Sequence, residues 1–395
     1  KREDGLDEIL GEKSGEIISG KWWGQTRLTR KDVSILSGLG RNPLGSVKDL
    51  SRDAGVTPIT FSNRVKRLRS DNVLLSISAQ LGYSILGLDA ILLFLEVSFR
   101  SIEVVERALD AHPYTRYRVR CLGETNGMYV LMAIPRGSIS MLLKFWDELR
   151  RMGLINRYRY EYSVASWSHT ETDFGHYDLQ ADSWNFDWGS WMRGFTRDPP
   201  PLPSYSVVLD QLDERDMKIL RQLTMDARDK KKDIAERAGV PNYFLTRRRQ
   251  FYERSGVISC YRVVVHRNAS KLFSTLLFEC ICPIGVTEVF ADAIKRLPFQ
   301  STLVPIKDGF LLQTALPSID LPCLGRILQR FCDEVRVTWS DYDSSMRYWL
   351  WDVPLQDGGW LASKEFMVTD VIEEMVEQAP NSPYSLIYSS KKNLI

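Results

Sequence analysis

The chain has 395 residues, of which 44% are hydrophobic and 26% are charged, and its formal net charge is +2. This composition is typical of a soluble protein of about two to four domains, and no apolar run is long enough to cross a bilayer, so we expect no membrane association. With a net charge near zero, any nucleic-acid surface must come from local clusters of basic residues. Six scattered cysteines without Cys-x-x-Cys spacing predict no metal site and fit a reducing, cytoplasmic setting.

The sequence repeats itself at a nearly constant spacing. Residues 28–36 align with residues 212–220, and Arg64 aligns with Arg248, in both cases 184 positions apart. About a hundred residues further along, the spacing is still 182. The repeat predicts two copies of one unit, joined by the proline-rich segment 197–203, which cannot continue a helix or a central strand.

Each copy begins with three short helices, and the third of them is basic. In the first copy this helix is predicted over residues 59–69, where Phe61, Val65 and Leu68 form a buried stripe that leaves the basic side chains outside. A turn glycine before a basic third helix is typical of a helix-turn-helix, in which the third element enters the major groove of double-stranded DNA. The candidate DNA-binding residues are Thr60, Ser62, Asn63, Arg64, Lys66, Arg67 and Arg69 in the first copy, and Asn242, Thr246, Arg247, Arg248 and Arg249 in the second.

The second part of each copy alternates strands and helices. Residues 73–81 and 257–266 predict a wing and connecting arm after each head, and a βαββαβ order typical of a ferredoxin-like fold follows. The predicted fold class is therefore α+β, with two repeats of a winged helix-turn-helix head followed by a ferredoxin-like sandwich and an aromatic tail. The predicted strands are 90–98, 115–122, 128–134 and 155–164 in the first copy and 274–282, 301–305, 310–316 and 335–340 in the second, with helices at 102–111, 139–151, 286–297 and 321–332.

These elements divide the chain into seven segments. The predicted segments are an N-terminal extension (1–27), a first DNA-binding head (28–82), a first ferredoxin-like domain (88–165), an aromatic tail with the proline-rich linker (166–209), a second head (210–268), a second ferredoxin-like domain (272–342) and an aromatic C-terminal tail (343–395).

The second head carries a family resemblance. Residues 212–220, 233–240 and 256–261, together with Arg248, resemble the DNA-binding head of the Lrp/AsnC transcription regulators, and the first copy resembles a more diverged version. Regulators of that family pair their βαββαβ domains in a dimer and bind amino acids in the cleft between them. The resemblance implies a sequence-specific DNA-binding regulator that forms a pseudo-dimer within one chain, with two heads for two half-sites. The resemblance is also compatible with a homodimer of the whole chain.

The resemblance also implies an effector loop in each sandwich. In the family this loop carries an aspartate, whereas Val130 and Leu312 occupy that position here. Without a carboxylate to hold an amino group, we expect a small-molecule effector other than a free amino acid, or no effector. The effector-loop candidates are Asn126, Gly127, Tyr129, Asp308, Gly309 and Phe310.

Most of the eleven tryptophans lie in the two tails and near the start of the chain. Because an indole ring buries a large area, we expect the tails to pack onto the sandwiches; a surface for a partner or ligand is the alternative. The tryptophans in question include Trp22, Trp23, Trp184, Trp188, Trp191, Trp349, Trp351 and Trp360.

Two other functions are alternatives to a sequence-specific regulator. Siroheme decarboxylases share the head-plus-sandwich plan, but the four histidines of this chain form no pair at metal spacing and no phosphate-binding motif is present, so we expect no enzyme and no cofactor. An architectural protein that coats DNA non-specifically would need more positive charge. The histidines are His112, His169, His176 and His266.

Overall fold

The computed structural model describes residues 28–348, residue 355 and residues 359–377. The predicted extension 1–27 with Trp22 and Trp23, and the tail residues Trp349 and Trp351, lie outside the described residues. No helix in the described part of the chain is long and apolar enough to cross a membrane.

The first head consists of three helices and a strand. Thr29 and Asp32 form a reciprocal capping box at the start of the first helix, and Thr57 caps the third, which begins at Pro58, one residue before its predicted start. Phe61 is buried on the inner side of the third helix. The elements are α1 (Arg30–Arg41), α2 (Val47–Asp53), α3 (Pro58–Ser70) and β1 (Leu74–Leu81).

The first sandwich domain follows the βαββαβ order. Along its first strand, Ile91, Leu93 and Leu95 face the helices, while Leu92 and Phe94 face the opposite way, as the two-residue period of a strand requires. The elements are β2 (Leu88–Glu96), α4 (Ile102–Ala111), β3 (Thr115–Gly123), β4 (Gly127–Pro135), α5 (Ile139–Arg151) and β5 (Arg157–Tyr162), and the antiparallel strands lie in the order β5-β2-β4-β3.

The first tail then leads into the second head, and residues 199–208 between them contain neither helix nor strand. The tail elements are β6 (Ser168–Thr170), β7 (Tyr177–Asp178), β8 (Ser183–Trp184) and α6 (Trp188–Arg193); those of the second head are α7 (Glu214–Asp226), α8 (Lys231–Ala238), α9 (Asn242–Ser255), β9 (Ile258–Val265) and the short α10 (Arg267–Ser270).

The second sandwich domain has the same internal strand order, β13-β10-β12-β11. Its elements are β10 (Ser274–Ile281), α11 (Val286–Ala293), β11 (Ser301–Ile306), β12 (Gly309–Leu316), α12 (Leu321–Phe331) and β13 (Glu334–Ser340), and the second tail contributes β14 (Met346–Arg347), a π-helical turn (Glu365–Thr369) and α13 (Asp370–Glu377).

The two sandwich domains form one antiparallel sheet that folds back on itself. Strand β13 pairs with β3, and the backbone N–H of Val164, just after β5, donates to the carbonyl oxygen of Pro305 in β11 over 3.0 Å. The inner faces therefore oppose one another, and Leu92, Tyr129 and Leu311 belong to the apolar cluster between them. The predicted α+β class is confirmed, and the strands of both domains belong to one large antiparallel sheet.

Each tail packs on the sandwich domain of the other half. The Trp191 indole N–H donates to the carbonyl oxygen of Ala293 over 2.9 Å, which places the first tail on the second domain. Conversely, the Trp360 indole N–H donates to the carbonyl oxygen of Leu86, and α13 packs against α4 of the first domain. The sequence predicts that the tails pack onto the sandwich domains, but it does not predict that each tail covers the domain of the other half.

The exchange makes a prediction about stability. Because Trp191 is only 5% exposed, Trp191→Ala should cost about 3–5 kcal/mol of unfolding free energy, through lost contacts and a cavity. The matched control is Trp339→Ala on β13, where the residue is 53% exposed and the cost should stay below about 1 kcal/mol. Urea titrations followed by circular dichroism measure both. Equal midpoints for the two variants would contradict the packing.

Candidate nucleic-acid interface and central cavity

A buried carboxylate holds the first head together. Asp32 on α1 has no exposed surface, and its carboxylate accepts hydrogen bonds from the backbone N–H and hydroxyl of Thr29. Arg64 and Arg67, both on α3, each lie 3.2 Å from one of its oxygens. A buried charge is tolerated only when it is paired and hydrogen-bonded, so these two arginines join α3 to α1.

The second head repeats this arrangement 184 positions later. Asp216 on α7 is 2% exposed, and Arg248 Nη2 on α9 lies 2.9 Å from its Oδ2. The Tyr252 hydroxyl donates to the other carboxylate oxygen, and burial raises the pKa of this tyrosine above its usual range. Arg248 therefore has a structural role in the second head equivalent to that of Arg64 in the first.

The candidate arginines differ in what they contact. Arg69 pairs with Asp226 of the second head at 2.6 Å, and Arg249, where the first copy has valine, lies 3.2 Å from Glu253. Some of the positively charged side chains that were predicted to bind DNA thus form ion pairs within the protein. Among the candidates, Ser62, Asn63, Lys66, Arg67, Asn242 and Arg247 are exposed, and Thr60, Arg64, Arg69, Thr246, Arg248 and Arg249 are half-buried.

Two exposed apolar residues were missed by the sequence reasoning. Ile59 on α3 is 74% exposed and Tyr243 on α9 is 75% exposed, and they are 184 positions apart. Both lie in the first turn of the third helix, outside the buried stripe that contains Phe61. Because these two positions do not follow the spacing of the buried stripe, the sequence could have identified them as exposed. The exposed face of each third helix therefore contains a large apolar side chain next to the polar candidates.

A two-stranded ribbon joins the two heads. Strands β1 and β9 pair antiparallel, and Ser78 pairs with Arg262, its own counterpart 184 positions later. This pair lies near the centre of the ribbon. The heads also touch directly, because Arg228 Nη1 donates to the carbonyl oxygens of Pro43 and Gly45 at 2.9 Å each. Backbone pairing and these contacts fix one head relative to the other.

The effector-loop candidates lie at the turns before β4 and β12. Gly127 and Gly309 have φ values of +151° and +152°, and a Cβ atom at either would collide with a carbonyl oxygen of the neighbouring strand, that of Leu95 or Cys280. Both glycines are required by the close approach of strands. The adjacent Asn126 and Asp308 are exposed at the hairpins.

The other two candidates point to opposite faces of their strands. Tyr129 lies between the opposed inner faces of the folded sheet. Phe310, in contrast, is fully buried between its strands and the helices, where it contacts Phe290. Phe310 therefore faces away from the space that Tyr129 lines, because one position of register moves a side chain to the other face of a strand. Val130 and Leu312 are buried on the same helix-covered faces as Phe310.

A cavity of about 270 Å³ lies between the ribbon and the inner faces of the folded sheet. The ribbon, strands β3, β4, β11 and β12, and the two tails all contribute to its wall. The polar and aromatic side chains that line it are Ser76, Ser78, Gln80, Tyr83, Arg116, Tyr117, Tyr129, Trp167, His169, Thr224, Arg262, Thr302, Gln313, Arg347 and Tyr348.

His169 in this cavity is held neutral. Burial, together with the charges of Arg262 and Arg347, lowers its pKa well below the ordinary value for histidine. Thr302 accepts a hydrogen bond from Arg262 and can donate its own hydroxyl proton to His169 Nδ1, which is 3.2 Å away. With Nδ1 as the acceptor of this hydrogen bond, the single proton of the neutral ring lies on Nε2.

The remaining histidines are not grouped into a site. His112 is fully buried and its Nδ1 accepts from the backbone N–H of Tyr114, and burial lowers its pKa to about 3. His176 contacts the ring of Phe186 in the first tail. In the parts of the chain that the structure describes, no group of three histidine, cysteine or acidic side chains could hold a metal ion.

Comparisons with known proteins give one clear sequence relative. A leucine-responsive regulatory protein of Rhizobium meliloti (strain 1021) is 31% identical over 129 residues, which are 33% of this chain and 80% of that protein. Among solved structures, the siroheme decarboxylase NirDL aligns over 89% of this chain and 99% of its own, with a TM-score of 0.47 and 12% identity. A transcriptional regulator of Neisseria meningitidis, solved with L-methionine, covers 36% of this chain and 94% of its own, with a TM-score of 0.32 and 19% identity. No protein-family model matches the chain.

Two neighbouring arginines on α9 test the structural role of the buried carboxylate. Arg248→Met would leave the buried Asp216 without its cation and should cost about 3–5 kcal/mol of unfolding free energy. Arg247→Met is the control, since Arg247 is exposed and its loss should change that free energy by less than about 0.5 kcal/mol. Thermal and urea unfolding of both variants measure these changes in unfolding free energy. A stable Arg248→Met protein would refute the assignment.

Proposed function

Because this chain belongs to the Lrp/AsnC family of transcription regulators, we propose that it is a sequence-specific DNA-binding regulator with two heads in one chain. The observation that carries the proposal is the pair of third helices, α3 and α9. Both expose short polar, basic and apolar side chains at positions 184 apart, and each is fixed to its own head by a buried ion pair.

The proposal includes a tandem duplication that makes the chain a pseudo-dimer. The strand order β5-β2-β4-β3 corresponds to β13-β10-β12-β11, and the ion pair at Asp32 corresponds to that at Asp216. The exchanged tails support the same interpretation, because each half completes the core of the other. A homodimer of the whole chain stays a prediction.

Within each head we assign the exposed residues to DNA and the ion-paired ones to the fold. Asn63 can form the paired hydrogen bonds that asparagine makes with adenine, and Ile59 can contact a thymine methyl group. Lys66 and Arg247 are exposed cations suited to phosphates. The proposed contacts are Ile59, Ser62, Asn63 and Lys66 in the first head and Asn242, Tyr243, Arg247 and Gln250 in the second.

The alternative of a tetrapyrrole decarboxylase receives less support from the cavity. At about 270 Å³ the cavity is slightly smaller than typical ligand sites, which span roughly 300–1,000 Å³, whereas a tetrapyrrole with its carboxylate side chains is a large ligand. Among the described residues, the wall contains a single histidine, His169. A small ligand fits this space better.

A DNA-binding experiment tests the proposal. An operator is first selected from a random pool, and fluorescence anisotropy then measures affinity at several salt concentrations. Asn63→Ala should relax the choice of base at one position by roughly 1–3 kcal/mol. Arg247→Met should weaken binding to selected and scrambled DNA alike and flatten the salt dependence by about one unit of slope.

The control for both variants is Arg326→Met, which removes an exposed arginine of α12 far along the chain from either head and should leave affinity unchanged. Half-sites should lie about one helical turn apart or a multiple of it, if the two helices enter successive major grooves. Equal affinity for selected and scrambled DNA would instead indicate a non-specific architectural protein. Unchanged affinity after combined loss of Asn63, Lys66 and Arg247 would refute the assigned surface.

A further inference from the structure

The exposed faces of the two third helices carry an amide and a cation in opposite order. Counted from the first residue of each helix, α3 has an amide at position six, Asn63, and a cation at position nine, Lys66. On α9 the sixth residue is a cation, Arg247, and the ninth is an amide, Gln250. The amide and the cation have therefore exchanged places between positions that correspond in the repeat.

The exchanged side chains are not used by the fold. All four residues are exposed, and in the described part of the chain none of their side chains has a hydrogen bond or an ion pair with another residue. By contrast, the neighbouring Arg64 and Arg248 are bound to the buried carboxylates of Asp32 and Asp216. The exchanged pair is thus available to a partner outside the protein.

An exchange of amide and cation changes what each helix can recognise along DNA. Positions six and nine lie on the same face of a helix, about 4.5 Å apart along its axis, which is close to the rise of one base pair. An amide side chain can form two hydrogen bonds with adenine, whereas a cation at the same place suits a phosphate. The contact with adenine therefore moves by about one base pair between the two heads.

The contacts between the heads also differ on their two sides. Arg69 of the first head pairs with Asp226 of the second head at 2.6 Å. The corresponding residues, Glu253 and Asn42, cannot form an ion pair. Together with the antiparallel ribbon, this one-sided contact holds the two heads in a single arrangement. The protein therefore sets the distance between the two half-sites, and its heads are not interchangeable.

We propose that the operator of this protein is not palindromic. Asn63 reads an adenine in one half-site, and Gln250 reads an adenine that lies about one base pair away from the equivalent position in the other. Two identical heads related by a twofold axis would instead read an inverted repeat. The proposal rests on the proposed DNA-binding function, and it specifies that the protein occupies its operator in one direction only.

Selection of binding sites from a random DNA pool tests the proposal with the full chain. We expect the enriched site to contain two half-sites with adenine at non-equivalent positions. The double variant Asn63→Arg/Lys66→Gln gives α3 the side-chain order of α9, so its enriched site should have adenine at equivalent positions in both half-sites. The exposed control Arg326→Gln on α12 should select the same site as the unchanged protein.

Two results of this selection would overturn the proposal. One is a palindromic site enriched by the unchanged protein. The other is an asymmetric site that stays the same when the double variant is used, because the asymmetry would then come from other residues. Melting temperatures show whether each variant is folded, so that a loss of binding through unfolding is recognised.

A change of base preference tests the role of Gln250 separately. Fluorescence anisotropy compares the selected operator with one in which cytosine replaces the assigned adenine. The unchanged protein should prefer adenine by roughly 5- to 100-fold. Gln250→Glu should prefer cytosine, because a carboxylate accepts a hydrogen bond from the cytosine amino group. Equal weakening of both sites by Gln250→Glu would show that Gln250 lies near phosphates and would overturn its assignment.

The same experiments separate this proposal from the proposed function. If the pool yields no enriched sequence, the sequence-specific function is wrong, and the asymmetric operator is wrong with it. If the pool yields a palindrome, the sequence-specific function stands and only the asymmetric operator is wrong. An asymmetric site that becomes symmetric with Asn63→Arg/Lys66→Gln supports both.

Discussion

Eight residues at the end of each head pair in one antiparallel ribbon, centred where Ser78 lies opposite Arg262. Backbone hydrogen bonds between β1 and β9 determine how far apart the two third helices stand, because each strand follows its helix after a short turn. The same ribbon closes the central cavity, so the spacing of the heads and the shape of the cavity depend on one set of hydrogen bonds. Contacts between the heads, such as the ion pair of Arg69 with Asp226, hold this geometry in place.

The sequence allowed the elements to be predicted because their signals are local. The apolar stripe at Phe61 and Leu68 and the N-cap at Thr57 define α3 within a dozen residues, and strand alternation defines the sheets. The roles of the arginines could not be predicted in the same way, because Arg64 finds its carboxylate on a different helix, at Asp32. A basic helix was recognised correctly as a pattern, but the pattern does not separate side chains that hold the fold from those left exposed.

The exchange of the tails and the facing of Phe310 differ in how far the sequence specifies them. Trp191 and Trp360 reach partners at Ala293 and Leu86, more than a hundred residues away, and nothing local specifies which domain an indole ring will cover. The facing of Phe310, by contrast, was available in the sequence. Residues alternate along β12, so Phe310 and Leu312 must share one face and Leu311 the other.

A single chain can place different residues on the two sides of a twofold axis, which a dimer of identical chains cannot do. At the centre of the ribbon, an identical pair would bring two arginines or two serines together; here Arg262 faces Ser78. Two arginines opposed at that point would repel, whereas one arginine can pair with Glu171 and orient Thr302 and His169. On the proposal that the halves arose by duplication, divergence at the axis is what permits a cavity whose two sides carry different side chains. The same freedom extends to the heads, where Asn63 corresponds to Arg247, so that the two half-sites need not have the same sequence.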